Sequence, residues 1–462
     1  MTSTADHSTG AEFGVDFDEI FAEEEEENFF PATADQKPDY SSVDVSTKAF
    51  WAKTSEERDE LFAELRRTDP VSWQRPVEDA VTPDPDDPGY WALVKHEHIT
   101  QVSKDNERFI SGQGVLFDML PTIFLQMTQS FLAMDDPRHN RLRGLVSAAF
   151  TPKQIRKISD DIKSAAKQIV DELFAAGPGE VELVAAVSEK LPNRMFCDLF
   201  GVPEELREAT TKAAGDIIAW ADPEVLGDRE ADEVQVEAAA RLHEIAEQLI
   251  DARKEAENPP EDLFTNLINA EVDGERLNEF EIGAFFVLMA VAGTDTTKHT
   301  TSFTLKALAD NPDQLAWLRE DYDGRIGTAI EEFIRYASPV KTFRRTCVEE
   351  TELGGRKIIP GDKVVFFYPS GSFDEAVFDD PRTFDLSRHP NRHLGFGGGG
   401  VHYCLGTQLA KQMLRAIFAE LVSRLESWEV GEPDLLGTNF MRGVKRMQLR
   451  FVPATADGAR QE

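Results

Sequence analysis

The alternation of apolar and polar residues predicts a mainly helical protein, and its longest apolar segment predicts a central helix. That segment is LNEFEIGAFFVLMAVAGTDTTKHTTSFTLKALADNP, residues 277–312. Asn278 and Glu281 form the pattern of a capped helix start, and Pro312 ends the segment. We predict one helix of about 30 residues, about 45 Å long. Because residues 282–292 are apolar on nearly every side, this part of the helix should be buried.

The middle of this helix breaks the apolar pattern with the residues Gly293, Thr294, Asp295, Thr296 and Thr297. Glycine weakens a helix, and threonine hydroxyls compete for its backbone carbonyls. A local fault in a buried helix marks either a kink or a functional site. The residues alone leave both interpretations open.

The rest of the pattern predicts shorter elements on both sides of this helix. A helical segment begins at Thr47 and ends before Pro70, and two strands follow near residues 71–73 and 90–94. Prolines divide residues 153–258 into several amphipathic helices, which we interpret as a lid over a ligand. These elements predict the fold class: mainly α with small β-sheets, an α+β fold.

The chain divides into two parts of different composition. Residues 1–45 contain 13 acidic residues and one lysine, including five consecutive glutamates from Glu23 to Glu27. Like charges repel, and no apolar periodicity opposes the repulsion, so we predict a disordered acidic tail. The chain as a whole has a normal globular balance of apolar and charged residues, and its length alone suggests about three average domains. The family resemblance described below implies instead one large domain over residues 46–462.

A single cysteine in a glycine-rich loop is the strongest chemical signal. Cys404 lies in HLGFGGGGVHYCLGTQLA, residues 393–410, and an apolar helical run follows it. Glycines leave the backbone bare, so a flat group can approach the sulfur. The backbone N–H groups at the start of the next helix favour a thiolate over a thiol. We interpret the loop as a holder for a planar, metal-bearing ligand.

Three other interpretations of the loop compete with this one. A lone cysteine is most often a small buried apolar residue. A glycine-rich loop before a helix also binds phosphate, but no Gly-Lys-Ser or Gly-Lys-Thr ending is present. A catalytic thiol with His402 as its base needs a third, orienting group, which the neighbouring sequence does not supply.

Two polar pairs have helical spacing and admit two interpretations each. His139 and Arg143 are four residues apart, and Glu332 and Arg335 are three apart, so the members of each pair share a helix face. Such a pair is either an ordinary exposed face, where an ion pair contributes little to stability, or part of a site.

Residues 109–133 form an apolar stretch that glycine and Pro121 interrupt, so they are not one regular helix. Ordinary core and a pliable apolar wall around a ligand are equally good interpretations of this stretch. The candidate substrate contacts in this stretch are Phe117, Leu120, Ile123, Phe124 and Met127. Two valines from elsewhere in the chain, Val291 and Val340, are added to them.

The cysteine loop resembles the haem-ligand loop of the cytochromes P-450. The residues that carry the resemblance are Phe396, Gly398, Gly400, His402, Cys404 and Gly406. The loop departs from the usual pattern in one place: Phe396 lies eight residues before the cysteine instead of seven, because Gly397 is extra. The segment AGTDTT, residues 292–297, is similar to the oxygen-side motif of the same enzymes.

This resemblance implies a single large cytochrome P-450 fold, with haem b between the long central helix and the cysteine loop. Cys404 would bind the iron as a thiolate, which favours O–O cleavage. Asp295 and Thr296 would pass protons to dioxygen, in a groove at the small residues Ala292 and Gly293.

The resemblance also implies residues that hold the cofactor and the loop. Glu332 and Arg335 would be buried and joined by Arg388, which would lock the loop that carries the cysteine. The contacts implied for the cofactor, including its propionates, are His139, Arg143, Ala292, Gly293, Arg345, Phe396, His402, Cys404 and Gly406.

The implied activity is a monooxygenase that inserts one oxygen atom of O2 into a C–H bond of an apolar steroid, terpenoid or branched lipid. No flavin or iron–sulfur signature occurs in the chain, so the resemblance implies electrons from a ferredoxin and its reductase. Two alternatives stay open: a haem-thiolate enzyme that uses peroxide or isomerises its substrate, and a non-catalytic haem-binding sensor. A basic patch for the electron donor would comprise Lys153, Arg156, Lys157, Lys411 and Arg415.

Composition narrows the expected partners and location. The net charge of −36 repels nucleic acid and anionic membranes, so neither is expected as a partner. Three cysteines make no disulfide framework. No signal-peptide pattern and no run of about 18 apolar residues is found. We therefore expect a cytoplasmic protein without a transmembrane segment, and we expect a monomer.

Overall fold

The computed structural model describes residues 30–454, apart from residues 35, 119, 121, 148–155, 157, 176, 178 and 273. About 52% of the residues are helical, and the strands form small sheets. The predicted class, mainly α with small β-sheets, is therefore confirmed. Most of the acidic segment 1–45, together with Lys153 and Lys157, lies outside the described residues.

The described helices are numbered in chain order, and a turn of 3-10 helix (Phe131–Ala133) and one of π-helix (Val184–Ser188) accompany them. Their bounds are α1 Lys48–Trp51, α2 Ser55–Thr68, α3 His96–Lys104, α4 Thr122–Met127, α5 Arg138–Ser147, α6 Ser159–Ala175, α7 Lys190–Phe200, α8 Glu204–Ile218, α9 Pro223–Leu226, α10 Ala231–Glu255, α11 Leu263–Ile268, α12 Glu279–Asp310, α13 Pro312–Glu320, α14 Tyr322–Ala337, α15 Tyr368–Ser372 and α16 Thr407–Arg424.

The strands form one five-stranded sheet of order β1-β2-β10-β7-β3, a three-stranded sheet of order β11-β14-β4, and three two-stranded pairs, β5-β6, β8-β9 and β12-β13. Their bounds are β1 Val71–Gln74, β2 Tyr90–Leu93, β3 Phe109–Ile110, β4 Gly179–Glu182, β5 Glu271–Val272, β6 Glu275–Arg276, β7 Thr342–Cys347, β8 Thr351–Leu353, β9 Arg356–Ile358, β10 Lys363–Phe367, β11 Leu425–Val430, β12 Asp434–Leu435, β13 Val444–Arg446 and β14 Gln448–Pro453.

The predicted central helix is confirmed as α12. The Asn278 side chain accepts a hydrogen bond from the backbone N–H of Glu281 at 2.8 Å, and the Glu281 carboxylate accepts one from the backbone of Asn278 at 2.9 Å. The helix packs against α7, α8, α10, α14 and α16. It is long and apolar enough to cross a bilayer, yet 56% of its most apolar window is buried inside the protein. These contacts make α12 the core helix of the fold.

The segment after Thr47 forms two helices, so the prediction of a single helical segment is wrong. Thr54 starts α2, because its hydroxyl accepts from the backbone N–H of Glu57 at 3.2 Å and the Glu57 carboxylate accepts from the backbone of Thr54 at 2.9 Å. A side chain that caps a new helix favours a break in the preceding one. The predicted strand pair is confirmed, since β1 and β2 are antiparallel with Trp73 opposite Trp91.

The five-stranded sheet and two helices position the cysteine loop. β7 follows α14 and pairs with β10, which places Arg345 opposite Val364. The chain then passes through β8, β9, β10 and α15 before it reaches the loop at residues 393–406, and α16 begins immediately after the loop. The loop therefore lies at the N-terminus of a buried helix that packs against α12, α14 and α6.

Candidate active site

Cys404 is fixed by hydrogen bonds within its own loop and with the start of α16. Its backbone N–H donates to the carbonyl of Phe396 at 3.1 Å, and the hydroxyl of Thr407 donates to the carbonyl of Cys404 at 2.8 Å. Lys411 lies over the Phe396 ring at 5.4 Å, and Tyr403 packs against the same ring. The loop thus closes on itself and presents Cys404 as an exposed residue.

The glycines of the loop serve mainly its packing against α3. A Cβ atom on Gly398 would lie 2.5 Å from the Ser103 hydroxyl, and one on Gly400 would clash with the Ser103 carbonyl. Gly400 also has a φ of +77°, which side chains rarely adopt. The sequence predicts that these glycines let a flat group approach the sulfur, but at Gly398 and Gly400 the absent side chain makes room for Ser103 of α3. Gly406 is the glycine beside the sulfur, with its Cβ position 4.0 Å from the Sγ of Cys404.

Although Cys404 is an exposed residue, the protein around its sulfur desolvates the thiol and raises its pKa, while the backbone N–H groups of Gly406 and Thr407, the Thr407 hydroxyl and the Arg143 guanidinium lower that pKa. The helix start therefore acts in the predicted direction, but desolvation outweighs it. A metal cation at the sulfur would supply the remaining stabilisation, because a coordinated thiol is deprotonated.

One face of α12 opens in the middle of the buried helix. Ala292 is exposed, and Leu288 and Thr296, one turn before and after it, are half-buried, whereas most of the neighbouring positions are buried. A Cβ atom on Gly293 would meet nothing within 4 Å. The helix is continuous here, and the hydroxyl of Thr296 donates to the carbonyl of Ala292 at 2.8 Å. The polar interruption is therefore an opening in the packing and not a break in the helix.

Asp295 lies on the buried side of this opening. Asp295 is only 3% exposed, and one of its carboxylate oxygens pairs with the ammonium of Lys298. The other oxygen is buried and has no hydrogen-bond partner among the described residues. An unsatisfied buried carboxylate oxygen is costly unless water or a ligand reaches it. The arrangement suits a group that exchanges protons beside the opening.

Two histidines and two arginines come together near Cys404 from three separate elements. The rings of His139 on α5 and His402 in the loop are 4.4 Å apart. Arg143, also on α5, donates to the carbonyl of Tyr403, and the Cys404 sulfur interacts electrostatically with this guanidinium. Arg345 on β7 is 5% exposed and donates to its neighbour's carbonyl at 2.7 Å.

This cluster carries positive or neutral groups whose hydrogen-bonding capacity is only partly used. The Nε2 of His139 and the Nδ1 of His402 are buried without hydrogen-bond partners among the described residues. The Nδ1 of His139 lies 3.5 Å from a carboxylate oxygen of Asp136, and no described carboxylate pairs with Arg143 or Arg345 within 4 Å. Burial and the charges of Arg345, His139 and Arg143 lower the pKa of His402 to about 2. Buried donors in this state fit an anionic ligand with two acidic groups, such as the propionates of a haem.

A buried ion-pair group joins α14 to the chain that leads into the loop. The guanidinium of Arg335 donates to both carboxylate oxygens of Glu332 at 2.7 Å each, and both residues are 0% exposed. Arg388 forms an ion pair with the same carboxylate at 3.3 Å. Asn391 donates to it at 3.0 Å and the backbone N–H of Asp385 does so at 3.0 Å. Glu332 thus bonds to Arg335 of its own helix and to three groups of the segment 385–391, and so links α14 to that segment.

The neighbouring glutamate was missed by sequence reasoning. Glu331 accepts from His393 at 3.0 Å and from Lys411 at 2.5 Å, so it ties the first residue of the loop to α16. The adjacent acidic pair Glu331-Glu332 was the available signal. Lys411 was predicted to contact an electron donor, but in the structure its ammonium is engaged by Glu331.

The predicted substrate contacts divide between two regions. Leu120, Phe124 and Met127 belong to the large apolar core that contains α12, and Ile123 packs against that core. Phe117 lies elsewhere: its ring packs 4.8 Å from Tyr90, in the aromatic cluster around α1 and α2. Phe117 therefore has the contacts of an ordinary core residue.

Val291 and Val340 meet in a small apolar cluster between α12, the end of α8 and the segment 436–441. Val340 forms an isolated antiparallel bridge with Met441. The same cluster contains further residues that the sequence pattern did not single out. These additional members are Ile218, Ala219, Val225, Leu436, Phe440 and Met441.

With the fold and this geometry in place, the comparisons with known proteins identify the class. The family model described as Cytochrome P450 matches residues 89–451. Since this is most of the chain, the protein belongs to the cytochrome P450 family. Membership implies a haem-iron cofactor and makes the protein a monooxygenase.

The curated relatives are lipid and steroid hydroxylases. The chain is 36% identical to a methyl-branched lipid omega-hydroxylase of Mycobacterium tuberculosis, over 89% of this chain and 95% of the relative. It is also 36% identical to a steroid C26-monooxygenase of Mycolicibacterium smegmatis, over 86% of this chain and 91% of that protein. Each match spans nearly the whole length of both proteins.

A solved structure is similar over a comparable length. Cytochrome P450 CYP268A2 of Mycobacterium marinum, in complex with pseudoionone, is 51% identical with a TM-score of 0.87, over 90% of this chain and 100% of that chain. The identity and the TM-score together place this chain among bacterial proteins of the family.

Proposed function

We propose that the protein is a haem b monooxygenase that hydroxylates an apolar, branched lipid-like substrate, of the steroid, terpenoid or methyl-branched class. The observation that carries the proposal is the exposed Cys404 beside a cluster of buried, unpartnered nitrogen donors. The relatives' names, which include methyl-branched lipid, steroid and pseudoionone as substrate or ligand, support the substrate class.

The protein's own groups hold the cofactor. Cys404 provides the thiolate ligand of the iron, and His139, Arg143, Arg345 and His402 bind the propionates. No described carboxylate pairs with Arg143 or Arg345, so two propionates would complete the pairing of these two guanidinium groups. Phe396 and Gly406 line the cysteine side. When bound, the haem supplies the activation of O2 and the oxygen transfer to carbon.

The open face of α12 serves the oxygen side. Ala292 and Gly293 leave room there, because neither places a side chain larger than a methyl group into the opening. Asp295 takes up a proton from water and releases it towards Thr296, whose hydroxyl holds a water or an oxygen atom in the opening. The pairing of Asp295 with Lys298 fixes the carboxylate during this exchange.

The substrate lies against the apolar cluster that joins α12 to the segment 436–441. Val291, Val340, Phe440 and Met441 form its wall, and Leu120, Ile123, Phe124 and Met127 extend it. An apolar wall without charged groups favours a substrate bound mainly by burial of its hydrocarbon surface. Glu332, Arg335 and Arg388 take no part in the chemistry and hold the cysteine loop in place.

Electrons come from separate proteins, a ferredoxin and its reductase, because the chain carries no flavin or iron–sulfur signature of its own. Arg156 and Arg415 are available basic residues for docking, whereas Lys411 is engaged by Glu331. We further propose a cytoplasmic monomer with one catalytic domain. The described residues of the acidic segment belong to that domain, because Lys37 pairs with Asp362 at 2.6 Å and Val45 is 0% exposed, so an acidic tail is proposed only for the residues before residue 30.

The cofactor assignment is tested with two variants. Cys404→Ser should abolish the thiolate-type absorbance of the reduced, CO-bound protein. Arg345→Gln should speed haem transfer to an acceptor apoprotein by about tenfold or more, since a charge-assisted hydrogen bond is lost. Arg450→Gln, an exposed arginine paired with Glu180, is the matched control and should leave the transfer rate unchanged. An unchanged rate in Arg345→Gln contradicts its role.

The activity is tested by turnover. Branched-chain lipids, terpenoids and steroids should shift the haem from low to high spin, and NAD(P)H with a ferredoxin and reductase should give a hydroxylated product that carries oxygen from labelled O2. Product formed only with peroxide, or no product with any electron donor, would reject the monooxygenase mechanism proposed for this site.

A further inference from the structure

A second cavity lies apart from Cys404, between the N-terminal helices α1 and α2 and the end of α14. It has a volume of about 130 Å³, and an adjoining cavity of similar volume shares four of its lining residues. Those four are Trp51, Arg58, Lys341 and Arg442. Three of the four are basic and, like Trp51, buried, which is unusual in a protein of net charge −36.

The three basic groups are buried and contact only neutral acceptors. Arg58 is 7% exposed and donates to the carbonyls of Trp51 and Lys53. Lys341 is 4% exposed and donates to the carbonyl of Thr438. No carboxylate among the described residues lies within 4 Å of either group.

Arg442 completes the set. It donates to the carbonyls of Tyr336 and Ala337 at 2.9 and 3.0 Å, and its guanidinium lies 4.0 Å above the ring of Phe303. No ion pair with a described carboxylate is formed here either. Three charges in one buried place without a counter-charge are costly unless an anion joins them.

Two carboxylates also line the cavity, but they do not neutralise these cations. Asp59 is already paired with Arg66 and Arg382. Glu56 is exposed and acts on Arg58 and Arg442 only as a secondary charge. Burial, together with the charges of Arg58 and Arg442, lowers the pKa of Lys341 well below its usual value. An anion in the cavity would oppose this shift.

Three hydrogen-bond donors of the cavity lining have no partner among the described residues. They are the indole Nε1 of Trp51, the Oγ of Ser338 and the Nε of Arg442, all buried. Trp51 is 7% exposed and Ser338 is 2% exposed. Buried donors normally find an acceptor, and three such donors on residues that line one space are compatible with an acceptor there that has several lone pairs.

Much of the remaining lining is aromatic. Phe62, Phe367 and Phe373 line the cavity beside the Trp51 ring, and Lys341 lies 5.2 Å above that ring. Aromatic walls accommodate a flat apolar body, and the cations with the three donors accommodate an oxyanion. We propose that this cavity binds a small organic carboxylate with an aromatic or similarly flat body, held by Arg58, Lys341, Arg442 and the Ser338 hydroxyl.

The test uses the full-length, haem-loaded protein with benzoate and its neutral analogue benzamide. Benzoate should raise the melting temperature in a saturable way, and benzamide should not. Lys341→Met should weaken benzoate affinity by about tenfold or more, because a charge-assisted hydrogen bond is lost. Lys163→Met is the matched control, since Lys163 is exposed and pairs with the exposed Asp160. This control should bind benzoate like the unaltered protein.

A second measurement keeps the proposal testable if Lys341→Met fails to fold. Benzoate should shift the indole N–H resonance of Trp51, assigned with Trp51→Phe, and leave the Soret band unchanged. Three results would overturn the proposal: no benzoate response in the unaltered protein, an equal response in Lys341→Met, or a Soret shift that accounts for all binding and places benzoate at the haem.

Discussion

Asp295 and Lys298 form an ion pair across one turn of α12, with the carboxylate nearly buried and the ammonium closer to solvent. The side chain of Asp295 is 4% exposed and that of Lys298 is 18% exposed. Lys298 therefore stands between the carboxylate and the solvent, where it also faces Glu189. Burial raises the pKa of Glu189, and Lys298 lowers it. Asp295, Lys298 and Glu189 thus form a group of interacting charges near the opening at Ala292.

The first prediction concerns the carboxylate of this pair. Asp295→Asn keeps the size of the side chain but removes its ability to take up and release a proton. We expect product formation to fall by about 10²-fold, with a larger solvent deuterium isotope effect and an unchanged spectrum of the reduced, CO-bound protein. Turnover and isotope effect, measured at saturating substrate and electron donor, check this expectation.

A neighbouring threonine provides the control for this variant. The hydroxyl of Thr294 donates to the carbonyl of Ala290 at 2.6 Å inside the core and has no place in the proposed route. Thr294→Val should therefore keep its turnover and isotope effect. Full turnover in Asp295→Asn, or an equal loss in both variants, would refute the relay.

The second prediction compares two adjacent glutamates on α14. Glu332→Gln removes the only carboxylate that Arg335 and Arg388 contact among the described residues, which leaves two buried guanidinium groups unpaired. We expect a loss of about 3–5 kcal/mol in the free energy of unfolding. Glu331→Gln, whose side chain is 30% exposed, should cost about 0–1 kcal/mol. Urea titrations followed by circular dichroism measure both; equal losses would show that burial of the pair has no energetic consequence.

The sequence was sufficient for the long central helix, because its cap, its apolar face and its proline stop are all local signals. It was also sufficient to place Glu332 and Arg335 on one face, because the spacing is fixed by the helix. That Arg388, more than 50 residues later, joins them was inferred from the family resemblance alone; the structure brings the three together.

Where the sequence-based interpretation differs from the structure, the cause is a contact between residues that are remote in sequence. The glycines of the loop were attributed to the ligand, but Gly398 and Gly400 are required by the close approach of Ser103, which is remote in sequence. Phe117 was placed in a substrate wall from composition, yet its partners Tyr90 and Phe367 come from strands that only the folded sheet brings together. Contacts of this kind depend on topology, not on local pattern.

The third prediction concerns pH and a buried histidine on α12. His299 is 0% exposed, and its Nδ1 accepts a hydrogen bond from the backbone of Val444 at 3.1 Å. Burial, with a smaller effect of Lys298, lowers its pKa well below the usual 6.5. Below about pH 6.5, the side chain of His299 therefore becomes protonated in the unfolded chain but stays neutral in the folded protein.

Stability should consequently fall as the pH drops below 6.5, and this histidine contributes a slope of at most about 1.4 kcal/mol per pH unit. His299→Gln keeps an acceptor for Val444 but does not titrate. We expect its free energy of unfolding, measured in urea from pH 7.5 to 5.5, to decline less steeply than that of the unaltered protein. The other buried histidines contribute equally to the pH dependence of both proteins, so their contributions cancel in the comparison. Parallel pH profiles would contradict the assignment of a neutral, buried His299.

The last prediction separates backbone strain from steric fit in the cysteine loop. Gly397 has a φ of +94° and Gly400 a φ of +77°, so alanine at either position carries a similar backbone penalty of about 1–2 kcal/mol. A Cβ at position 397 meets nothing within 4 Å, whereas one at position 400 clashes with the carbonyl of Ser103. Gly397→Ala should therefore lose only the backbone penalty.

Gly400→Ala should lose about 1–3 kcal/mol more, because α3 or the loop must move to admit the methyl group. Since the loop carries Cys404, this movement should also reduce the thiolate-type absorbance of the reduced, CO-bound protein, which Gly397→Ala should retain. Urea unfolding and that spectrum, recorded on the same preparations, distinguish the two effects. If both variants lose equal stability, α3 does not constrain the loop. If the two variants differ in stability but their spectra match, the contact with Ser103 stabilises the fold without positioning the sulfur.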